Sequence, residues 1–403
     1  MFKKMSVLFL SAAMLLCLAP VVRADFSSPS KNLSNSATAS LCPKVVRIPD
    51  TANIFVMWIE QTATESLLWS SKSADNGATW STPQLVTTNG QILYNDWAYD
   101  FNPFSMVYED PYLHLVFQWR ENDATDYDVY YMRSDDFGDT WAVQYFITSN
   151  STDSIYPDVA VRGEYVHICY QDEWPGNWDV IYQRINGYGA GSVDQNRRMT
   201  YSSTESVYPR IAVSLSGMTV NIVYEDWEST NYQIYFKHIY DYGAGTFQSN
   251  KLTSGSSWNG IPDIAFSTAA APDDAYCYIV YNTQWPGNRE IMYKRLTSWG
   301  QPGFVTYTAR LTYSTTDSYS NSIAFDHGYN NIHITYHDNW PGNNDIMYRK
   351  LASLGGGGFT GQRISWGTGD SINAAVGENA DWADVVWSDY TSGNYEIYFK
   401  MGY

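Results

Sequence analysis

With 42 acidic against 24 basic side chains in 403 residues, the chain carries a formal charge of -18, which argues against nucleic acid as a partner because phosphate binding draws on clustered Lys and Arg. Its 4 cysteines include Cys17 in an N-terminal apolar run, and the remaining Cys42, Cys169 and Cys277 are too widely spaced for a disulfide framework or a metal-ligand pattern. They read as small buried apolar residues.

In chain order, the first element is MFKK followed by SVLFLSAAMLLCLAPVV and the small-residue exit Val22-Arg23-Ala24. That pattern predicts a signal peptide over residues 1–24, cleaved after Ala24, and a secreted protein, extracellular or periplasmic. Leu16 before Cys17 speaks against a lipoprotein anchor. Loss of Lys3, Lys4 and Arg23 with no acid would move the formal charge from -18 to -21. No later stretch approaches the roughly 20 apolar residues of a membrane helix, so a soluble mature chain and no membrane span are expected.

The rest of the chain repeats. EWPGNWDVIYQR from Glu173 returns as QWPGNREIMYKR from Gln284 and NWPGNNDIMYRK from Asn339, with weaker copies starting at Trp58, Trp119 and Trp227 and ending at Met401. In every copy nine positions separate the aromatic that closes one apolar run from the residue that opens the next, as in Trp119 and Asp128, Tyr170 and Asp179, or Tyr336 and Asp345. A constant spacing in divergent copies marks one hairpin geometry used seven times. Each unit adds an upstream run such as YPDVAV from Tyr156 and a downstream run such as RMTYSS, KLTSGS or RLTYST, from Arg198, Lys251 and Arg310. Four short strands per unit predict an all-β, seven-bladed β-propeller over residues 25–403, a single domain and a monomer. The final unit ends after its third strand, and KNLSNS from Lys31 matches the missing fourth, so an N-terminal strand is expected to close the last blade.

Ser73-Ala74-Asp75-Asn76-Gly77-Ala78-Thr79-Trp80 and Ser134-Asp135-Asp136-Phe137-Gly138-Asp139-Thr140-Trp141 resemble the Asp-box of the sialidase-like, BNR-repeat propellers. The resemblance implies that fold, with the Asp-box as a structural turn on the face away from the active site. A sialidase would further need an arginine triad, the first member opening an innermost strand in an R-I-P motif. Arg47-Ile48-Pro49 falls instead at the far end of such a strand, and the positions expected to open these strands are Lys44, Phe104, Asp158, Arg210, Asp263, Ser322 and Ala374. Of these only Arg210 suits a triad, which points to a non-sialidase member of the superfamily.

Three recurrences are candidate sites. Trp-Pro-Gly-Asn reads as a type II turn with Pro second and Gly third, which accounts for Pro and Gly but not for the indole. Trp174, Trp285 and Trp340, with Trp227 at the corresponding place and Tyr390 in the last unit, are therefore candidate ligand-binding aromatics. Acids two residues after the closing aromatic, Glu60, Glu121, Asp172, Asp226, Asp338 and Asp389, read as turn-holding carboxylates. Crossover acids Asp153, Glu205, Asp317 and Asp370 are a candidate Ca²⁺ funnel or solvated loop residues; no other cofactor is expected. Arg210 and His337, beside the Asp338 hairpin, complete the candidates.

Equivalent blades favour repeated weak contacts, so the leading expectation is a secreted binding module for glycan or another extracellular macromolecule, engaged through the W-P-G-N face. One alternative is a glycan-active hydrolase or lyase with its site in the central funnel, for which the long crossover from Thr87 to Phe104 is the main hint. A structural cell-surface protein is the other.

Overall fold

The computed structural model describes residues 26–402 except 27, 93–101, 122–123, 175, 215, 217, 268–275, 285–286, 298–304, 327, 341, 353, 379–381 and 391, and without the side chains of 320, 321 and 378. Residues 1–24, expected to be a signal peptide, Trp285 and the middle of the long crossover fall outside the described residues. Among the described residues there is no α-helix, only two 3₁₀ turns at Gly187–Gly189 and Asp241–Gly243, and no helix long and apolar enough to cross a membrane.

Strands pair antiparallel with their sequence neighbours. Ser154–Arg162, Tyr165–Asp172, Asp179–Ile185 and Val193–Arg198 form one four-stranded sheet in chain order, three more sheets share this plan, and a fifth takes its outer strand from Lys31–Asn32. A nine-stranded sheet holds two further meanders, bridged by the two-residue strand Gly90–Gln91. The innermost strands, Ala39–Arg47, Phe104–Glu109, Ser154–Arg162, Ser206–Val213, Asn259–Phe266, Ser318–Asp326 and Ser371–Glu378, pack one against the next, and the last packs against the first. This closed ring of radial sheets is a β-propeller.

The seam lies where the sequence put it. Lys31 and Asn32 pair with Phe399 and Tyr398, Leu33 N–H donates to the Ile397 carbonyl at 2.7 Å, and Ser34 Oγ donates to Glu396 Oε2 at 2.5 Å. The N-terminal strand thus covers the outer edge that the last sheet would otherwise leave open.

Every innermost strand but Phe104–Glu109 carries a register shift near its start, as between Ile155 and Asp158, Val207 and Arg210, or Gly260 and Asp263. A residue at positive φ makes the bulge: Cys42, Tyr156, Tyr208, Ile261 and Asn373 all lie near +50°. The preceding blade supplies the acceptor for several of these turned N–H groups. Gln118 Oε1 takes Tyr156 N–H at 2.9 Å, Gln171 Oε1 takes Tyr208 N–H at 2.8 Å, and Glu225 Oε1 takes Ile261 N–H at 2.6 Å. The same pairings correct two expected positions. Ala375, not Ala374, pairs as Asp158 does, and Phe104 pairs one step beyond that position, where Pro103 stands with its carbonyl on Gln118 N–H. Bulge residues are invisible to a count along the chain.

Both Asp-boxes are closed turns. Asp75 accepts Thr79 N–H at 2.8 Å and Thr79 Oγ1 at 2.6 Å, and Asp136 accepts the same pair from Thr140 at 2.7 and 2.6 Å. The turn glycines let the chain touch the neighbouring blade, since a Cβ on Gly77 would stand 2.4 Å from the Phe399 ring. Later blades make this contact with a different sequence: Gly189 and Gly243 sit against the hydroxyls of Tyr131 and Tyr182. The hydroxyl of Thr79, ahead of its backbone N–H, holds the exposed Asp75 carboxyl down at about 2, below its ordinary 3.8. The stability it contributes is therefore present above pH 3.8 and lost as pH falls through about 2, so acid melting curves of wild type and Asp75→Asn should differ above that window and merge below it.

Candidate functional site

The turns between second and third strands and the crossovers between blades share one face. The hydrogen bond of the W-P-G-N turn runs from Gly176 N–H to the Glu173 carbonyl at 2.8 Å, and from Gly342 N–H to Asn339 at 3.0 Å. The turn is therefore one residue earlier than the expected type II turn, with glycine last and at φ of 115° and 125°. Its Asn has a separate task. Asn177 Nδ2 donates to the Thr204 carbonyl at 2.9 Å, Asn288 to Thr316 at 2.7 Å, and Asn343 to Gly369 at 2.7 Å, which ties each hairpin to its outgoing crossover.

The indoles have no such task. Trp174 is 62 % exposed and Trp340 59 %, while their backbone N–H groups are fixed on Asp172 and Asp338 at 2.7 Å each. Trp227 and Tyr390 are not at the corresponding place: Asp226 pairs with Gln233 as Asp172 pairs with Asp179, so Trp227 matches Glu173, and Tyr390 likewise. Both are less exposed than Trp174 and lean edge-on against Tyr232 and Tyr395, with centroids 4.9 and 5.1 Å apart.

A second aromatic row was missed in the sequence. Tyr201, Tyr313 and Trp366 are 70 %, 68 % and 71 % exposed at the start of three crossovers. Under them lie Arg198, Arg310 and Arg363, 4.9, 4.6 and 4.4 Å from the ring centroids. Each guanidinium is itself held on a buried carboxylate, Asp179, Glu290 or Asp345, at 2.6 Å. One ring face is thus backed by a fixed cation and the other is open to solvent. The recurrence of an aromatic three residues after Arg, in RMTY, RLTY and RISW, was the available signal.

Four of the repeated acids, Glu60, Asp172, Asp338 and Asp389, hold the frame. Asp172 accepts Trp174 N–H, Ser154 Oγ at 3.0 Å and Asn150 Nδ2 at 3.0 Å; Asp338 accepts Ser318 Oγ at 2.8 Å and Thr316 Oγ1 at 2.9 Å. Of the crossover acids, Asp153 takes Tyr127 N–H at 2.8 Å, Asp317 takes Arg289 N–H at 2.7 Å, Asp370 takes Asn344 N–H at 2.8 Å, and Glu205 takes the Tyr232 hydroxyl at 2.5 Å. Each is spent on a local partner. Among the described residues no group of three or more His, Cys, Asp and Glu is arranged to hold a metal ion.

Near the axis, the residues after the bulges bring charge together in the interior. Arg210 is buried, with Nη1 on the Pro209 carbonyl at 2.9 Å, while Asp158 and Asp263 each accept an N–H from the next blade, Ile211 at 2.8 Å and Ile323 at 3.0 Å. Burial, then the nearby Arg210 charge, lowers Lys44 to about 8. Burial raises Asp263 to about 6 and Glu225 to about 8, in both cases against the pull of Arg210. The cavity shared by Lys44, Arg210 and Ser322 is only about 20 Å³, room for a water and not for a sugar. His337 is also buried, its ring stacked on Tyr319 at 5.3 Å. Cys42, Cys169 and Cys277 are buried and form no disulfide. Arg47, at the end of its strand, belongs to no site: it makes a bidentate pair with Asp384 of the last blade at 2.7 and 2.8 Å.

No protein-family model matches the chain, and none of the curated proteins does. Solved structures do. The α-L-arabinofuranosidase Arb93A of Fusarium graminearum, bound to an iminosugar inhibitor, superposes with a TM-score of 0.53 at 12 % identity, covering 80 % of this chain and 96 % of that one. The arabinofuranosidase of the same fungus with arabinobiose gives 0.51 at 11 % identity over 92 % and 97 %, and a NanB sialidase of Streptococcus pneumoniae 0.50 at 9 % over 78 % and 68 %. At this identity the likeness shows the fold, a sialidase-like β-propeller.

Proposed function

We propose that the chain is a secreted glycan-binding propeller that holds saccharides on the turn face, with Trp174, Trp340, Tyr201, Tyr313 and Trp366 as stacking platforms. The observation that carries the reading is the open aromatic face with a guanidinium fixed behind it, made three times on equivalent crossovers. A flat, rigid ring in water stacks on a sugar at small conformational cost, and repeated weak contacts add avidity. Structures with the same fold include enzymes that act on arabinose-containing and sialylated glycans, which supports glycan over other macromolecules. A glycan array followed by affinity electrophoresis tests it: retardation by at least one polysaccharide is expected, and no binding to any glycan would overturn it.

A second reading is a glycan-active enzyme with its acid near the axis: burial raises the Glu225 carboxyl to about 8, against the Ile261 N–H it accepts and the nearby Arg210 charge, the direction a general acid needs. On that reading Glu225→Gln abolishes release of sugar from sialylated or uronic-acid polysaccharides. The same variant has an expected structural effect. A carboxyl raised from 4.5 to about 8 contributes stability that is complete below pH 4.5 and lost as pH rises through about 8. Wild type should therefore lose melting temperature across that window, and Glu225→Gln, which keeps the acceptor for Ile261 N–H, should not.

A further inference from the structure

Among the described residues, the blade that follows the first has an uncovered flank. The outer strand of the first blade is only two residues long, Gln84–Leu85, and the chain then leaves it for Gly90–Gln91, which pairs with both blades. Between them opens a cavity of about 560 Å³, within the range of small-molecule sites. Its wall is built closely: a Cβ on Gly90 would stand 2.4 Å from the Trp119 ring, so only glycine lets the bridging strand pass.

Four aromatic residues line this cavity, Phe117, Trp119, Tyr130 and Phe146. They do not lie flat as a platform. Phe117 meets Trp119 at 87° and Tyr130 at 60°, and Tyr130 meets Phe146 at 77°, with centroids 5.9, 5.3 and 4.7 Å apart. Rings set edge to face make the walls of a box. Among the described residues the lining has one carboxylate, Glu121, close enough to add to the burial that raises the Tyr130 hydroxyl, and no Lys or Arg. Aromatic faces at right angles with one acid and no competing cation suit a compact organic cation, whose charge is attracted by the ring quadrupoles and whose alkyl groups fill the box. A hydrated metal ion gains nothing from such walls, and an anion finds no donor of opposite charge.

We propose that this inter-blade cavity binds an alkylated ammonium ion. The site is separate from the turn-face aromatics, so its failure would leave the glycan reading untouched. Choline chloride, titrated into the full chain by calorimetry against sodium chloride of equal concentration, should give saturable binding. Phe146→Ala and Glu121→Gln change residues exposed at the cavity's edge and should keep the wild-type melting temperature while weakening choline by about ten-fold. The neutral isostere of choline, with carbon in place of nitrogen, should bind at least about ten-fold more weakly than choline. Absence of saturable heat with choline, equal affinity for the neutral isostere, or indifference to both substitutions would overturn the proposal.

Discussion

Arg47→Ala should destabilise the protein by about 3–5 kcal/mol, the usual cost of leaving one partner of a buried ion pair alone. Both side chains are fully buried, and the guanidinium is held by both Asp384 oxygens at 2.7 and 2.8 Å, by Asn76 Oδ1 at 2.6 Å and by the Thr51 carbonyl at 3.0 Å. The pair joins the first blade to the last, so the loss falls on the seam. Burial raises the Asp384 carboxyl and only Arg47 opposes that strongly, so the single variant leaves an acid that must take up a proton to stay buried. Denaturant unfolding measures the effect. Arg47→Met with Asp384→Leu should recover much of the loss, because two apolar groups of similar volume leave no orphaned charge. A single variant as stable as wild type would show that the seam does not depend on this pair.

The second large effect concerns binding. Trp174→Ala, Trp340→Ala and Trp366→Ala should each weaken glycan by ~1 kcal/mol, and the triple variant by roughly a hundred-fold if the sites act together on one polymer. The three indoles are 62 %, 59 % and 71 % exposed, and the turns beneath them are held by Asn and Asp rather than by the rings, so melting temperature should not move. Affinity electrophoresis of the singles and the triple gives the series. Arg363→Met tests the backing separately: it keeps the Trp366 ring but removes the cation 4.4 Å beneath it, and an affinity as low as that of Trp366→Ala would mean that holding the ring matters as much as having it. Unchanged affinity in the triple variant would remove these aromatics from the site.

Much of the ring could be read from spacing alone. The nine-residue interval fixes a hairpin regardless of the intervening residues, and the match of KNLSNS to KLTSGS placed Lys31 beside Phe399 across the whole chain. What spacing could not carry was the bulge, where a left-handed residue such as Asn373 consumes a position without adding to the ladder, hence the single-residue error at Ala374. The W-P-G-N turn was displaced for a related reason: Pro and Gly suit the centre of a type II turn, but the hydrogen bond that closes it is decided by Asp172 and Asp338 drawing in the tryptophan N–H. Contacts between blades were the least legible. Arg47 with Asp384, Gln171 with Tyr208 and Gly189 with Tyr131 join residues whose separation in sequence follows no motif.

The seam has a kinetic meaning as well. Ser34 reaches Glu396 across 362 residues, so the last sheet cannot assemble until almost the entire chain is in place. Closing so long a loop costs conformational entropy before any contact rewards it, and folding slows as contacts grow more distant in sequence. The other sheets can form from local hairpins, but the outer strand of the last waits for an encounter between the two ends. Joining those ends and cutting the chain at another crossover would turn that encounter into a local one, and should hasten folding without altering the ring.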